Sequence, residues 1–531
     1  MKVFISFLIV SFPLFSVLAT VDNFLNCFPN HVENPNLIVE AIYTPRNSSF
    51  DNILRAYIRN RRFLTSETPK PFAIVTAKHE SHVQATVICA KSNDLQIRIR
   101  SGGHDYEGLS YISNVPFVIL DMFNLRNIDI DIVTETAWVQ TGATLGELYY
   151  NIANRSKFHA FPGGVCPTVG VGGHFTGGGY GNMMRKYGLT VDNIIDATLV
   201  DVNGNILNRK SMGEDLFWAI RGGGGASFGV ILSWKIKLVQ VPNIVTVFRV
   251  ERTLEEGATD IVYRWQEIAS NIDKEVFIRA KLHSDQNKTI KASFFGLFLG
   301  QTKPLISLMN ETFQILGLEE KDCKGVSWIE STLFWAEFPV GTSIDALLNR
   351  TSQPQVYFKS RSDYVKSIIP KQDLEKIWKI LAQVENMYVQ WNPYGGRMSE
   401  ISDTETPFPH RNGYLFKIQY YTAWTEERNE ASKNYINLSR KVYDAMAPYV
   451  SKNPREAFLN YRDLDIGSNP SNQTYFEEAE VYGRKYFKDN FWRLVNVKKK
   501  VDPGNFFKNE QSIPPYYPRI APAPAPLIMG D

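Results

Sequence analysis

Between residues 69 and 240, short apolar runs alternate with segments whose apolar positions recur every three to four residues. Residues 71–76, 96–100, 117–121, 137–140 and 195–202 read as strands, and 81–91 and 143–153 as helices. Asp201-Val-Asn-Gly204 carries a hairpin turn signal. From Val245 the texture changes. Long amphipathic strands such as 289–299 join helices such as 303–316 and 371–384, which predicts an antiparallel sheet backed by helices. Residues 456–515 are charged and helical again, and the proline-rich stretch 515–526 reads as disordered. There is no internal repeat of fixed period. The expected class is α+β. One domain is expected over 20–244 with its core at about 69–244, and a second over 245–455. A segment at 456–515 should return to the first, followed by a tail at 516–531.

A chain of 531 residues exceeds what one core organises, which fits that division. Its 44% hydrophobic and 21% charged content is that of a folded protein able to bury a large ligand. A net charge of +3 without a basic stripe argues against nucleic acid as partner; the run Lys498-Lys-Lys500 reads as a solvated face. Lys2, the apolar stretch 3–18 and Val17-Leu18-Ala19 before Thr20 have the pattern of a secretory leader at 1–19. No later stretch reaches the roughly 18 apolar residues of a membrane span. A soluble, secreted protein of the cell exterior or wall is expected, with a vacuole or ER-derived vesicles as alternative. Sequons at Asn47, Asn154, Asn287, Asn310, Asn349, Asn437 and Asn472 fit that route, while Asn469 precedes proline and is excluded. Cys27, Cys89, Cys166 and Cys323 are an even set, and two bridges are one of several possible answers. A Cys27–Cys89 bridge would pin a loose terminus, and Cys323 reads as a small buried apolar residue. His79 and His82 share a helix face without a Cys/His partner set, so a surface helix is expected and no metal site.

The chemistry concentrates in glycine-rich segments. Arg98-Ile-Arg-Ser-Gly-Gly-His-Asp-Tyr-Glu-Gly108 follows a strand directly, so its backbone N–H groups can converge on an anion. Residues 161–181, Phe-Pro-Gly-Gly-Val-Cys-Pro-Thr-Val-Gly-Val-Gly-Gly-His-Phe-Thr-Gly-Gly-Gly-Tyr-Gly, are too rich in glycine for a helix and imply close approach to something large and flat. A third cluster occupies 221–225. None matches a Walker loop or a clean dinucleotide fingerprint.

Together these segments resemble the berberine bridge enzyme-like oxidases of plants, within the vanillyl-alcohol-oxidase type of flavoproteins. The likeness runs from Asn26-Cys27 to Asn460-Tyr-Arg-Asp-Leu-Asp-Ile-Gly467 and Asp502-Pro-Gly-Asn-Phe-Phe507. It implies a PCMH-type FAD-binding domain, FAD bonded through His104 to its 8α-methyl carbon and through Cys166 to ring carbon C6, and a disulfide between Cys27 and Cys89. It assigns further cofactor contacts to Arg100, Ser101, Gly102, Gly103, Asp105, Ser110, Val169, Gly170, Gly173, Gly178 and Gly179. His174 is placed beside the flavin's pyrimidine edge.

The resemblance also implies a catalytic set: Tyr461 as base, Tyr180 and Lys417 lowering its pKa, Arg279 and Gln419 binding substrate, and Tyr106 beside them. In relatives that oxidise alkaloids the Gln419 position holds a glutamate base; an amide cannot accept that proton, which argues against simple berberine-bridge chemistry. Val169 is implied to leave room for oxygen, as a larger leucine or isoleucine would not. The expected function is hydride transfer from an alcohol-type small molecule or oligosaccharide to FAD, with molecular oxygen as acceptor, in a monomer. Oxidative cyclisation of a phenolic, terpenoid or alkaloid precursor is the alternative, and a non-catalytic flavin-binding protein a third.

Overall fold

The computed structural model describes residues 20–32, 40–285, 288–351 and 355–517. The expected leader, Asn287 and the tail beyond 517 lie outside the described residues.

The first sheet is built from β1 (Ile42–Tyr43), β2 (Ala73–Thr76), β3 (Gln96–Arg100) and β4 (Phe117–Asp121), ordered β1-β2-β4-β3. β4 runs parallel to both β2 and β3. The helix Glu80–Ser92 crosses between β2 and β3 and buries Val83 and Val87 against Val118 and Leu120. Parallel strands covered on both faces need continuous apolar runs, as Ala-Ile-Val-Thr and Phe-Val-Ile-Leu-Asp supply. His82 of that helix is buried rather than on a surface face. Cys27 and Cys89 form a disulfide.

Next come β5 (Ile128–Asp131), β6 (Thr136–Gln140), β7 (His159–Ala160), β8 (Ile194–Val200), β9 (Ile206–Leu207), β10 (Val230–Lys237) and β11 (Val239–Gln240). Five of them form the sheet β5-β6-β10-β8-β9, and β7 pairs with β11. The expected hairpin joins β8 to β9: Asp201 Oδ1 accepts from the N–H groups of Asn203 and Asn205, and Gly204 takes φ 81°. The glycine-rich segment is not helix-free, since Val171–Thr176 forms a short helix.

A seven-stranded antiparallel sheet follows. Its strands are β12 (Val245–Thr253), β13 (Val276–Ser284), β14 (Ile290–Phe298), β15 (Cys323–Val326), β16 (Tyr357–Val365), β17 (Met387–Pro393) and β18 (Phe416–Trp424). Their order is β15-β12-β14-β13-β17-β18-β16. Strand alternation sorts its two faces. Ile278, Val389, Trp391, Phe416 and Ile418 pack on the helices Ala258–Ile268, Lys371–Leu381 and Asn429–Ala445. The alternate positions Arg279, Gln390, Asn392, Lys417 and Gln419 occupy the other face, with Gln390 opposite Gln419 and Asn392 opposite Lys417. The helix expected over 303–316 spans Thr302–Thr312, and a single 3-10 turn, Gln314–Leu316, follows.

The C-terminal segment packs back on the first half of the chain. Arg98 pairs with Glu510 at 2.8 Å. Lys498 corrects the sequence reading: it is fully buried, donates to the carbonyls of Ser227 and Phe507, and pairs with Asp502 at 2.7 Å. Lys499 and Lys500 alone of that run are exposed.

Candidate active site

β3 delivers the chain into Ser101-Gly-Gly-His104, and two glycine loops interlock there. A Cβ on Gly102 would lie 2.3 Å from the Gly170 nitrogen, and one on Gly103 1.9 Å from the Tyr57 carbonyl oxygen. Gly103 also has φ 68°, a left-handed conformation that glycine adopts freely. The packed loops border a cavity of ≈ 430 Å³ enclosed by both halves of the chain.

His104 and Cys166 both face this cavity and converge on one hydroxyl. His104 Nε2 lies 2.9 Å from Thr168 Oγ1, and Cys166 Sγ lies 3.7 Å from it. Enclosure pushes the His104 imidazole down to about 3, so the ring is neutral near pH 7. His174 lines the same wall; its Nε2 accepts from the Gly164 N–H, and enclosure likewise takes it to about 3. Ser101, Gly102, Gly103, Asp105, Ser110, Val169, Gly170 and Gly173 also line the cavity, as expected of them.

Three expected cofactor residues do not. Arg100 spends its guanidinium on Asp121 (2.6 Å) and on the carbonyls of Ile53 and Leu54, so it joins β3 to β4 and to the preceding helix. Gly178 and Gly179 make a turn at positive φ behind the wall, where the Gly179 N–H donates to Asn460 Oδ1.

An aromatic chamber lines the same cavity. The Tyr461 hydroxyl donates to the Tyr180 oxygen at 2.7 Å, and Tyr106 stacks on Tyr461 with centroids 5.7 Å apart. Gln419 Nε2 donates to the Tyr106 oxygen at 3.0 Å. Arg279 donates to Asn392 Oδ1 at 2.7 Å and to the Tyr180 oxygen at 3.4 Å, and lies over the Trp335 ring. Lys417 does not reach the cavity surface. Its Nζ makes no hydrogen bond among the described residues and sits against the rings of Tyr180 (3.2 Å), Phe458 (3.8 Å) and Tyr461 (4.3 Å). Burial drives the Lys417 ammonium well below its ordinary range and the Tyr461 phenol well above its own. Against that burial Arg279 pulls the phenol down, whereas Tyr180 raises it, contrary to the role expected of Tyr180.

Sequence reasoning missed part of the lining: Arg59, Trp335, Glu337, Phe358, Tyr388, Gln390 and Tyr421 on the chamber side, and Arg98, Arg462, Lys508 and Asn509 toward the C-terminal segment. Arg462 was adjacent to a named residue and could have been found. Glu337 had no signal; it projects from an irregular turn after the helix Trp328–Trp335, at φ 59°.

The residues fit a flavin nucleotide. Arg98 Nε and Arg462 Nη1 are buried without hydrogen-bond partners at the C-terminal wall, and a Cβ on Gly173 would meet nothing within 4 Å, so backbone there borders open space. Unpaired guanidinium donors beside bare backbone suit a pyrophosphate, and the aromatic chamber suits a flat ring system.

Residues 71–209 match the FAD binding domain family, and residues 457–514 the berberine and berberine like family. Berberine bridge enzyme-like 17 of Arabidopsis thaliana is 57% identical over 503 residues, 93% of this chain and 94% of that protein. The solved structure of berberine bridge enzyme-like 28 from Arabidopsis thaliana superimposes with a TM-score of 0.88 at 47% identity, covering 93% of this chain and all of that one. A grass pollen allergen with glucose dehydrogenase activity gives a TM-score of 0.88 at 42% identity, over 93% of this chain and 99% of its own. An isoleucine-to-valine variant of that allergen is a glucose oxidase. The architecture, the glycine-walled cavity and these likenesses agree: the chain belongs to the berberine bridge enzyme-like family of FAD-binding oxidoreductases.

Proposed function

We propose that the protein is a secreted, glycosylated oxidase that removes a hydride from an alcohol-type substrate, an allylic alcohol of the monolignol kind or a sugar hemiacetal, and passes the electrons to oxygen as hydrogen peroxide. FAD, bonded to His104 and Cys166, supplies the hydride acceptor. The observation that carries this reading is that Tyr461, Tyr180 and Tyr106 line the same cavity as that His/Cys pair, with Lys417 against the rings of Tyr180 and Tyr461. Tyr461 accepts the hydroxyl proton. The charge of Arg279 favours its phenolate against the opposing effect of burial. Arg279 and Gln419 orient the substrate oxygen. Gln419 in place of a carboxylate base disfavours berberine-bridge cyclisation as the reaction.

Val169 lines the cavity three residues after Cys166 and leaves oxygen room to reach the ring. The pollen allergen's change from dehydrogenase to oxidase on gaining a valine supports the same reading. Exposure of Asn47, Asn154, Asn310, Asn349, Asn437 and Asn472 supports glycosylation and therefore secretion. No helix among the described residues is long and apolar enough to cross a membrane.

The test is anaerobic absorbance of the purified protein against cinnamyl alcohol and cellobiose, followed by admission of air and a peroxide assay. Bleaching by either, with peroxide on reoxidation, is the expected result. A flavin that neither reduces, or that reoxidises without peroxide, overturns the proposal. Acid-precipitated protein should remain yellow; colour in the supernatant would remove the covalent attachment.

A further inference from the structure

Behind the aromatic chamber lies a knot of buried charge that no step above uses. Lys359, on β16, ion-pairs with Glu107 and with Asp463, the latter at 2.6 Å, and approaches Asp465 at 3.8 Å. Lys359, Glu107 and Asp463 expose only 3%, 4% and 2% of their side chains. Arg361 pairs with Asp465 and lies 3.8 Å from Asp463, Arg62 lies 3.5 Å from Glu107, and Arg440 pairs with Asp465. Lys359 touches both carboxylates that matter for the chamber. Glu107 follows Tyr106, Asp463 lies two residues after Tyr461, and Phe358, edge-on to Tyr106, precedes Lys359 itself.

The knot thus ties down both stacked tyrosines. Asp105 and Arg462 pair at 3.4 Å, and Glu107, Lys359 and Asp463 form a three-member bridge, so both chain neighbours of Tyr106 are bound to residues that follow Tyr461. Asn60, also buried, donates to the carbonyls of Tyr106 and Phe358 and accepts from the Phe358 N–H, locking the same segments. Such a bridge is a poor source of net stability, because desolvating three charges offsets most of their attraction. It does fix geometry: these carboxylates have one short-range position relative to one ammonium.

We infer that Lys359 is a positioning residue of the active site, holding Tyr461 against Tyr106 and Tyr180 so that its oxygen meets the substrate hydroxyl. The inference rests on Tyr461 being the proton acceptor, and a double-mutant cycle separates the two claims. Flavin reduction by cinnamyl alcohol or cellobiose, whichever bleaches the wild type, is timed anaerobically per mole of bound flavin. Four proteins are compared: wild type, Lys359→Met, Tyr461→Phe and the double variant. Displacement of a reacting group by about an ångström costs roughly 10²-fold. Lys359→Met should therefore slow reduction about 10²-fold in the wild type and have almost no further effect in Tyr461→Phe, with the covalent flavin retained in both.

Additive losses, or an unchanged rate in Lys359→Met, would overturn the positioning role while leaving Tyr461 as base. A wild-type rate in Tyr461→Phe would overturn both. If Lys359→Met does not fold, Glu107→Gln replaces it in the cycle, since Lys359 then keeps Asp463 as its counter-ion. That variant should slow reduction about tenfold, non-additively with Tyr461→Phe, because one arm of the bridge weakens; an additive loss or an unchanged rate overturns the inference.

Discussion

The backbone N–H of Gly164 points at His174 and donates to its Nε2 at 3.0 Å. An Nε2 that accepts fixes the neutral tautomer with the proton on Nδ1. Enclosure holds that ring's pKa at about 3, whereas an unfolded histidine titrates near about 6.5. Between those values the unfolded chain binds a proton that the folded chain refuses. Stability attributable to His174 is therefore lost as pH falls from about 6.5 toward 3, at up to about 1.4 kcal/mol per pH unit. Denaturant midpoints measured across that range should fall more steeply for the wild type than for His174→Gln. Parallel acid limbs would refute the assignment.

Val169 faces the cavity, and its carbonyl accepts from the Leu145 N–H at 2.9 Å, which keeps the backbone in place when the side chain grows. Val169→Ile should leave anaerobic flavin reduction unchanged and slow reoxidation by air about tenfold or more, equivalent to roughly 1.4 kcal/mol of barrier. Stopped-flow traces of the two half-reactions distinguish this gate from a general disturbance of the site.

Gly103 combines φ 68° with a Cβ position only 1.9 Å from the Tyr57 carbonyl oxygen. Gly103→Ala forces the loop and the 57–59 segment apart, with backbone strain alone worth about 1–3 kcal/mol. Because that loop carries His104, the expected product is a low-yield, largely colourless protein. The ratio of flavin to protein absorbance reads this directly.

Lys498 and Asp502 form a buried pair, and burial brings the Lys498 ammonium down to about 8. Lys498→Met strands the Asp502 carboxylate and should cost about 3–5 kcal/mol. Lys498→Met with Asp502→Asn should recover part of that loss in a denaturant titration.

The elements were legible where local pattern decides them. β3 spans its alternating Gln-Ile-Arg-Ile-Arg segment, β4 its apolar run, and the 80–92 helix follows its own periodicity. The errors share one physical origin, distant partners. The resemblance assigned Arg100 to the cofactor, yet its guanidinium is spent on Asp121, its neighbour only through the parallel pairing of β3 with β4. Lys498 sits in a basic run that locally reads as solvated, and only the return of the C-terminal segment encloses it. Tyr461, Lys417 and Gln419 could be named from motif resemblance, but composition and spacing alone carry no sign that they meet Tyr106. The Lys359 knot is equally silent, being made by three segments far apart in the chain.

Arg98 and Glu510 are paired although 412 residues separate them. Translation delivers the Arg98 part of this wall early and the Glu510 part almost last, so a growing chain spends most of its synthesis with an incomplete cavity. Long-range closure of this kind is slow, and cofactor capture must await release of a nearly finished polypeptide. A premature stop even shortly before Asn460 would thus yield an apoprotein, however well its first four hundred residues fold.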